Sequence, residues 1–416
     1  MKNFLSIVFC LSCFFSSKLF AETLGVGGNG NFHSIKAALI HAKTGDEILV
    51  QPGIYTEGEI IIEKKIVLKG TKDAILDGLH KTSILVIRSN GVTVQGLTIR
   101  NSGYSDLHEL AGIRLEDVSR CKIEGNYLYD NYFGIYLSNS HHCKVLNNRV
   151  EGLAKTETSS GNGIHLWKSE YNLLLGNHIS GHRDGIYFEF VKHSAVISNL
   201  SELNLRYGLH FMFSDDDSYR FNTFRNNGSG VAVMYTRRVT MDHNRFEHNW
   251  GSAAYGLLLK EISYSRINNN TFSMNTTGLY MEGSNQTIVE YNDFSKNGWG
   301  LRILGDCFDD TIRYNNFRGN TFEVATNAIR SMNVFYSNYW DQYRGYDLNH
   351  DRIGDIPYHP VSLYSKITEE SPYTLMLLHS FFIDLMDQAE KVVPTITPEA
   401  FKDESPLMKP LLNDTY

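Results

Sequence analysis

Four side chains with an affinity for soft metal ions, His165, His210, Met212 and Met234, recur at spacings that a repeating strand would bring together. His210 and Met212 are two residues apart, so on an extended chain they point the same way, about 6.6 Å from each other. Met212 and Met234 are 22 apart. Thioether with imidazole is a soft donor set, suited to Cu(I) and poor for calcium or magnesium. His248 and Met274 make a second, weaker group of the same kind. Asp347, Asn349, Asp351 and Asp355 offer hard oxygen donors at alternating positions, as a calcium loop does. Arg352 stands where such loops want Gly, and the bidentate Glu is missing. Each group has a plainer reading: His and Met packed under a surface loop, and a polar turn.

What could position these residues is a repeat. Gly112, Gly134, Gly163, Gly185, Gly208, Gly230, Gly256, Gly278 and Gly300 each open the same pattern, most of them 22 or 23 residues after the last. A fixed period of this length means stacked units that bury a core only together. The residues one and three after each Gly are apolar, from Ile113/Leu115 to Leu301/Ile303. That alternation predicts strands with this set inward. Residues two and four then point outward, which places His165, His210, Met212 and Met234 on one outer face. An Asn recurs in step: Asn126, Asn148, Asn177, Asn199, Asn222, Asn244, Asn270, Asn292, Asn315 and Asn338. Asn tolerates left-handed turns, and stacked amides hydrogen-bond from coil to coil. A Phe follows two later at Phe224, Phe246, Phe272, Phe294 and Phe317. The expected fold is all-β, a right-handed parallel β-helix with coils about 4.8 Å apart. Off-period spacings predict outward loops at Tyr104–Ala111, Ala154–Asn162 and Trp250–Tyr255.

The ends differ in composition. Lys2, an apolar run from Phe4 to Phe15 and the small-residue site ending at Ala21 read as a cleaved secretory leader, 1–21. The spacing of Phe32, Ile35, Leu39 and Ile40 predicts a capping helix within a segment, 22–111, that supplies the first irregular coils. Regular coils follow over 112–338, then a lid segment over 339–371 that begins with the aromatic Tyr339-Trp340. The tail, 372–416, holds an amphipathic helix with Leu375, Leu378, Phe382, Leu385 and Met386 on its apolar side. Its last residues, rich in Pro, read as an extended arm. The helix is too short and charged to span a bilayer, and reads either as folded back on the coil or as docking on a membrane partner or the membrane surface. Deleting the tail is expected to leave the β-helix folded. The whole sequence carries a formal charge of −7, and loss of Lys2 and Lys18 makes it more acidic, which argues against a nucleic-acid partner. Cys121 and Cys143 lie 22 residues apart, either stacked as small interior residues, the favoured reading, or joined as a disulfide.

Several stretches together resemble the NosD family. They are Ser34-Ile35-Lys36-Ala37-Ala38 through Gly45-Asp46, Pro52-Gly53-Ile54-Tyr55, and the Gly and Asn-x-x-Phe coils. Asn338-Tyr339-Trp340-Asp341-Gln342-Tyr343 with Gly354-Asp355-Ile356-Pro357-Tyr358 is the most specific part. The resemblance implies a non-enzymatic periplasmic subunit held at the inner membrane by an ABC-type ATPase and permease. It further implies a copper chaperone and nitrous oxide reductase as partners, copper as cargo, and a tail that meets the permease.

The competing expectation is a polysaccharide lyase or hydrolase, or a carbohydrate-binding protein, since β-helices commonly act on glycans. Asp215-Asp216-Asp217 could supply acids, and Arg237-Arg238 could clamp uronates. Asp217, however, shares the coil slot of Cys121 and Cys143, and net negative charge disfavours a polyanion.

Overall fold

The computed structural model describes residues 21–105, 108–328, 330–378, 380–392 and 401–412. The expected leader, apart from Ala21, lies outside the described residues. The chain winds into a right-handed parallel β-helix with three sheets of 14, 12 and 13 strands. Each coil gives one strand to each sheet, as Ile186–Glu189, Ala195–Ile197 and Leu200–Glu202 do. Neighbouring coils pair in register, with Ile186 beside Leu209 and Phe188 beside Phe211. The repeated Gly marks a point where successive coils touch. A Cβ on Gly208 would stand 2.8 Å from the Gly230 carbonyl oxygen, and one on Gly256 the same distance from that of Gly278.

The inward set, Ile113 and Leu115 through Leu301 and Ile303, is fully buried in all nine coils. Beside it Phe224, Phe246, Phe272, Phe294 and Phe317 stack with ring centroids 4.7–5.6 Å apart, and Trp340 closes the column at 4.3 Å. The amide ladder forms as expected. The Asn244 Oδ1 accepts from both the backbone N–H and the Nδ2 of Asn222, at 3.0 and 2.9 Å, while Asn222 Nδ2 also donates to the Val196 carbonyl. The ladder thereby satisfies the buried amides of these Asn along the dry interior. The left-handed turn geometry, though, belongs to the residue before each Asn, as at Ser198, Phe221, His243, Asn269 and Tyr291. The Asn stays for its hydrogen bonds rather than for its φ. A second ladder runs five residues further on, through Asn204, Asn227, Asn249, Asn275, Asn297 and Asn320.

A capping helix, α1 (Ile35–His41), covers the first coil and buries Ile35 and Ala38. The Ser34 hydroxyl accepts from Ala37 N, and the Glu57 carboxylate accepts from the backbone N–H of Ile35 and Lys36. Regular pairing begins well before Gly112: Glu47 pairs with Val67, Val67 with Thr93 and Thr93 with Lys122. The segment expected to hold irregular coils is therefore already in register, with shorter strands only in the 12-stranded sheet. Cys121 and Cys143 lie on paired coils, both buried and both free thiols.

At the far end the chain leaves the coil as α2 (Leu363–Glu370), a 3-10 turn (Pro372–Leu377) and α3 (Phe381–Val392). The Tyr364 and Ile383 side chains join Phe322 in a small cluster against the last coils. Residues 401–411 then return to the open end. The Asp403 carboxylate accepts from the backbone N–H of Ser337 and Asn338, from Asn338 Nδ2 and from Trp340 Nε1, at 3.0–3.1 Å. It takes the place that the next coil's Asn would occupy, so the end of the expected extended arm caps the ladder. Removing the tail would strip that cap from the last coil.

Candidate functional site

The strands Tyr207–Met212 and Ser229–Met234 lie side by side in the 12-stranded sheet and bring Met212 directly opposite Met234. Both thioethers are half-buried on the outer face. The Tyr187 hydroxyl, one coil earlier, stands 3.6 Å from the Met212 sulfur and donates to it. Burial pushes the Tyr187 phenol up to about 12, so it keeps the proton that this contact uses. His210 is on the same face as Met212 and is buried, with its ring between those of Tyr187 and Tyr207 at 5.0 and 4.8 Å. Neither imidazole nitrogen has a hydrogen-bond partner, although the Asp184 carboxylate lies 3.8 Å from Nδ1. Arg206 grips that carboxylate with two hydrogen bonds.

His165 does not join this group. The register that puts His165 and His210 in one column also places Tyr187 between them, and the three rings stack edge to face. His165 instead lies beneath Asn162, whose Nδ2 is 3.3 Å from its Nδ1. Burial pushes its imidazole down to about 3, and the nearby Arg183 adds to the effect. The aromatic neighbours explain why residues directed outward from the coil, Tyr136, His165 and His210 among them, are nonetheless buried.

His248 and Met274 occupy successive rungs of one turn column, as their spacing implied, and are exposed and half-buried. In the loop at 347–355 the oxygens already serve the backbone. Asp347 accepts from Asp351 N and Arg352 N, Asp351 from Ile353 N, and Asp355 from Leu348 N. This is how a self-contained polar turn is held. Among the described residues no three His, Cys, Asp or Glu side chains converge on a metal position. The acids expected of a glycan-cleaving centre are also engaged. Asp217 is buried and accepts from Ser194 N, Asp216 forms a two-pronged ion pair with Arg238, and Asp215 accepts from Arg237 N.

The apolar side of the tail divides in two. Leu375, Leu378 and Met386 pack against the cluster of Phe322, Tyr364 and Ile383. Phe382 and Leu385 are exposed, and with Tyr373, Met376 and Phe381 (85, 89 and 81 % exposed) they leave an apolar surface of large side chains. No helix among the described residues is long and apolar enough to cross a membrane.

Comparison with known proteins gives this geometry a context. A family model described as periplasmic copper-binding protein (NosD) matches residues 152–349, and one for a right-handed β-helix region matches 70–158. The chain is 30 % identical over 374 residues to a probable ABC transporter binding protein NosD of Stutzerimonas stutzeri, covering 85 % of each chain. It is 31 % identical to the protein of the same description in Pseudomonas aeruginosa, covering 85 % of this chain and 86 % of that one. Among solved structures, the catalytic domain of a GH87 α-1,3-glucanase has a TM-score of 0.59 at 13 % identity, covering 77 % of this chain and 69 % of that one. An alginate lyase has a TM-score of 0.58 at 13 % identity, covering 78 and 86 %. At that identity the likeness is one of fold.

Proposed function

The chain belongs to the NosD family, and from that premise we propose that it is the periplasmic subunit of an ABC-type transporter assembly that handles Cu(I) for maturation of nitrous oxide reductase. Its relatives are named as transporter binding proteins and its family as periplasmic and copper-binding. Copper is here cargo, passed between a chaperone and the reductase, rather than a resident cofactor. The observation that carries the reading is the Met212–Met234 pair: two half-buried sulfurs on adjacent strands, one already oriented by the Tyr187 hydroxyl. Two thioethers with an imidazole next along the strand suit a soft monovalent ion and offer little to a hard divalent one. Sparse ligation also suits cargo that must leave again. The exposed apolar residues of the tail, Phe382 and Leu385 with Met376 and Phe381, provide the docking surface for the permease. Calcium has no place in this reading.

The test is a chelator competition under reducing conditions. Wild-type protein takes up Cu(I), and the Met212→Ala/Met234→Ala pair loses that uptake while keeping its melting temperature. Unchanged Cu(I) affinity in the double variant would remove this site. The glycan-cleaving alternative rests on fold likeness alone, and its candidate acids are tied up within the turns.

A further inference from the structure

Residues of two insertions, 102–104 and 152–161, come together beside the start of the 12-stranded sheet's strands. Between them lies a cavity of about 130 Å³, lined by His80, Tyr104, Asp130, Tyr132, Ser160 and His182 among others. A single water needs roughly 10–15 Å³ of such space, so there is room for more than solvent, yet for less than a drug-sized ligand.

His182 is the informative member. It is 2 % exposed, it lines the cavity, and its Nε2 has no hydrogen-bond partner. Its seat is made by two glycines: a Cβ on Gly152 would stand 2.8 Å from Nδ1, and one on Gly163 would stand 3.1 Å from Cδ2. Its backbone N–H donates to Asn204 Oδ1, and burial pushes the imidazole down to about 4. The ring is thus neutral, held by its surroundings, and its Nε2 has no partner among the described residues. An unpaired buried polar atom is costly, and a ligand group that pairs with it recovers that cost.

The rest of the lining narrows the ligand's chemistry. At the rim the Asp130 carboxylate stands 3.9 Å from His80 Nε2. The rings of Tyr104 and Tyr132 meet edge to face at 5.0 Å and give the wall an aromatic surface. No Lys or Arg lines the cavity, so a phosphate or a uronate would meet no counter-charge. The unpartnered imidazole nitrogen accepts or donates according to its tautomer, and the carboxylate accepts. The matching ligand therefore brings hydroxyl donors on one edge and C–H groups for the aromatic wall on the other. We propose that this cleft binds the hydroxyl-bearing edge of a neutral sugar ring. The inference is independent of the copper site, since it shares no residue with it.

Methyl α-glucoside, methyl α-mannoside and methyl β-galactoside serve as probes, each titrated to about 50 mM, within the millimolar regime of weak ligands. Saturation-transfer NMR reads binding, and the His182 ring resonances read its location. At least one hexoside is expected to bind and to move the His182 signals, with affinity falling tenfold or more in His182→Leu. Asp130→Asn and Tyr104→Ala, at the rim, weaken binding without touching the buried ring, and keep the test informative if His182→Leu misfolds. Absence of binding by all three hexosides would overturn the proposal, as would unchanged affinity in the rim variants. So would a His182 signal that responds to Zn(II), Cu(I) or choline and not to a hexoside.

Discussion

Replacing Asp403 by Ala should unlock the end of the β-helix. The carboxylate is fully buried and serves three buried donors that have no other partner among the described residues, Ser337 N, Asn338 N and Trp340 Nε1, besides the half-buried Ser405 N. Asn338 Nδ2 is less exposed to the loss, because it also donates to the Ile312 carbonyl. Each orphaned donor costs about 1–3 kcal/mol, but the three are neighbours and a water can enter the truncated site, so the sum overstates the effect. A loss of about 3–5 kcal/mol is the reasonable scale. Since repeat arrays open locally from their ends, the loss falls on the cap rather than on the whole column. Hydrogen exchange is the appropriate assay: amides of residues 335–341 should exchange about a hundred- to several-thousandfold faster, at about 1.4 kcal/mol per tenfold. Amides around Asn222 should not change. Asp403→Asn should lose less, because an amide oxygen there still accepts from Asn338 as every earlier Asn in the ladder does. If Asp403→Ala leaves exchange at 335–341 unchanged, the carboxylate does not close the ladder and the reasoning fails.

Asp310 offers a pH-dependent counterpart. Burial pushes its carboxyl up to about 7, and its Oδ2 has no partner. A raised acid favours the protonated fold, so its contribution to stability is complete below about pH 4, declines as pH rises toward 7 and stays lost above it. Asp310→Asn should therefore raise the melting temperature at pH 8 and leave it nearly unchanged at pH 4, worth up to about 4 kcal/mol at about 1.4 per unit. Asn already fills the same slot at Asn172 and Asn333; a gain independent of pH would contradict the assignment. Phe382→Ser with Leu385→Ser should abolish co-purification with the permease at unchanged melting temperature, whereas Leu378→Ser should loosen the tail itself. Retained co-purification would remove the docking surface. Tyr187→Phe should weaken Cu(I) uptake severalfold while Met212→Ala/Met234→Ala abolishes it; equal uptake by Tyr187→Phe and wild type would show that the hydroxyl does not orient the sulfur.

Period and alternation were enough to place the inward set, because a residue two positions along a strand must share a face and one coil along must share a column. The same logic put Met212 opposite Met234. It failed for His165, and the reason is instructive. A column has an order as well as a membership, and the Tyr187 ring between His165 and His210 is visible in the sequence at the same slot. The second Asn ladder was legible too, as an Asn five residues after the first in each coil from Asn199 to Asn315. What the sequence did not carry was contact between distant parts of the chain. Asp403 lies 65 residues beyond Asn338, outside any period, so nothing local marks it as the last rung.

That long return has a functional consequence. The helices that present Met376, Phe381, Phe382 and Leu385 are held at both ends, by the lid segment before them and by the Asp403 cap after them. A docking helix on a free arm would be ordered only on binding, at the expense of chain entropy. A helix strapped to the end of a stiff column meets its partner already placed. Movement of that partner would then act on the terminal coil, where the ladder ends on a carboxylate instead of another amide. Loosening the cap with Asp403→Ala should for this reason weaken co-purification even though no residue of the apolar surface is changed. Retained co-purification in the face of faster exchange at 335–341 would show that the strap and the docking surface are independent.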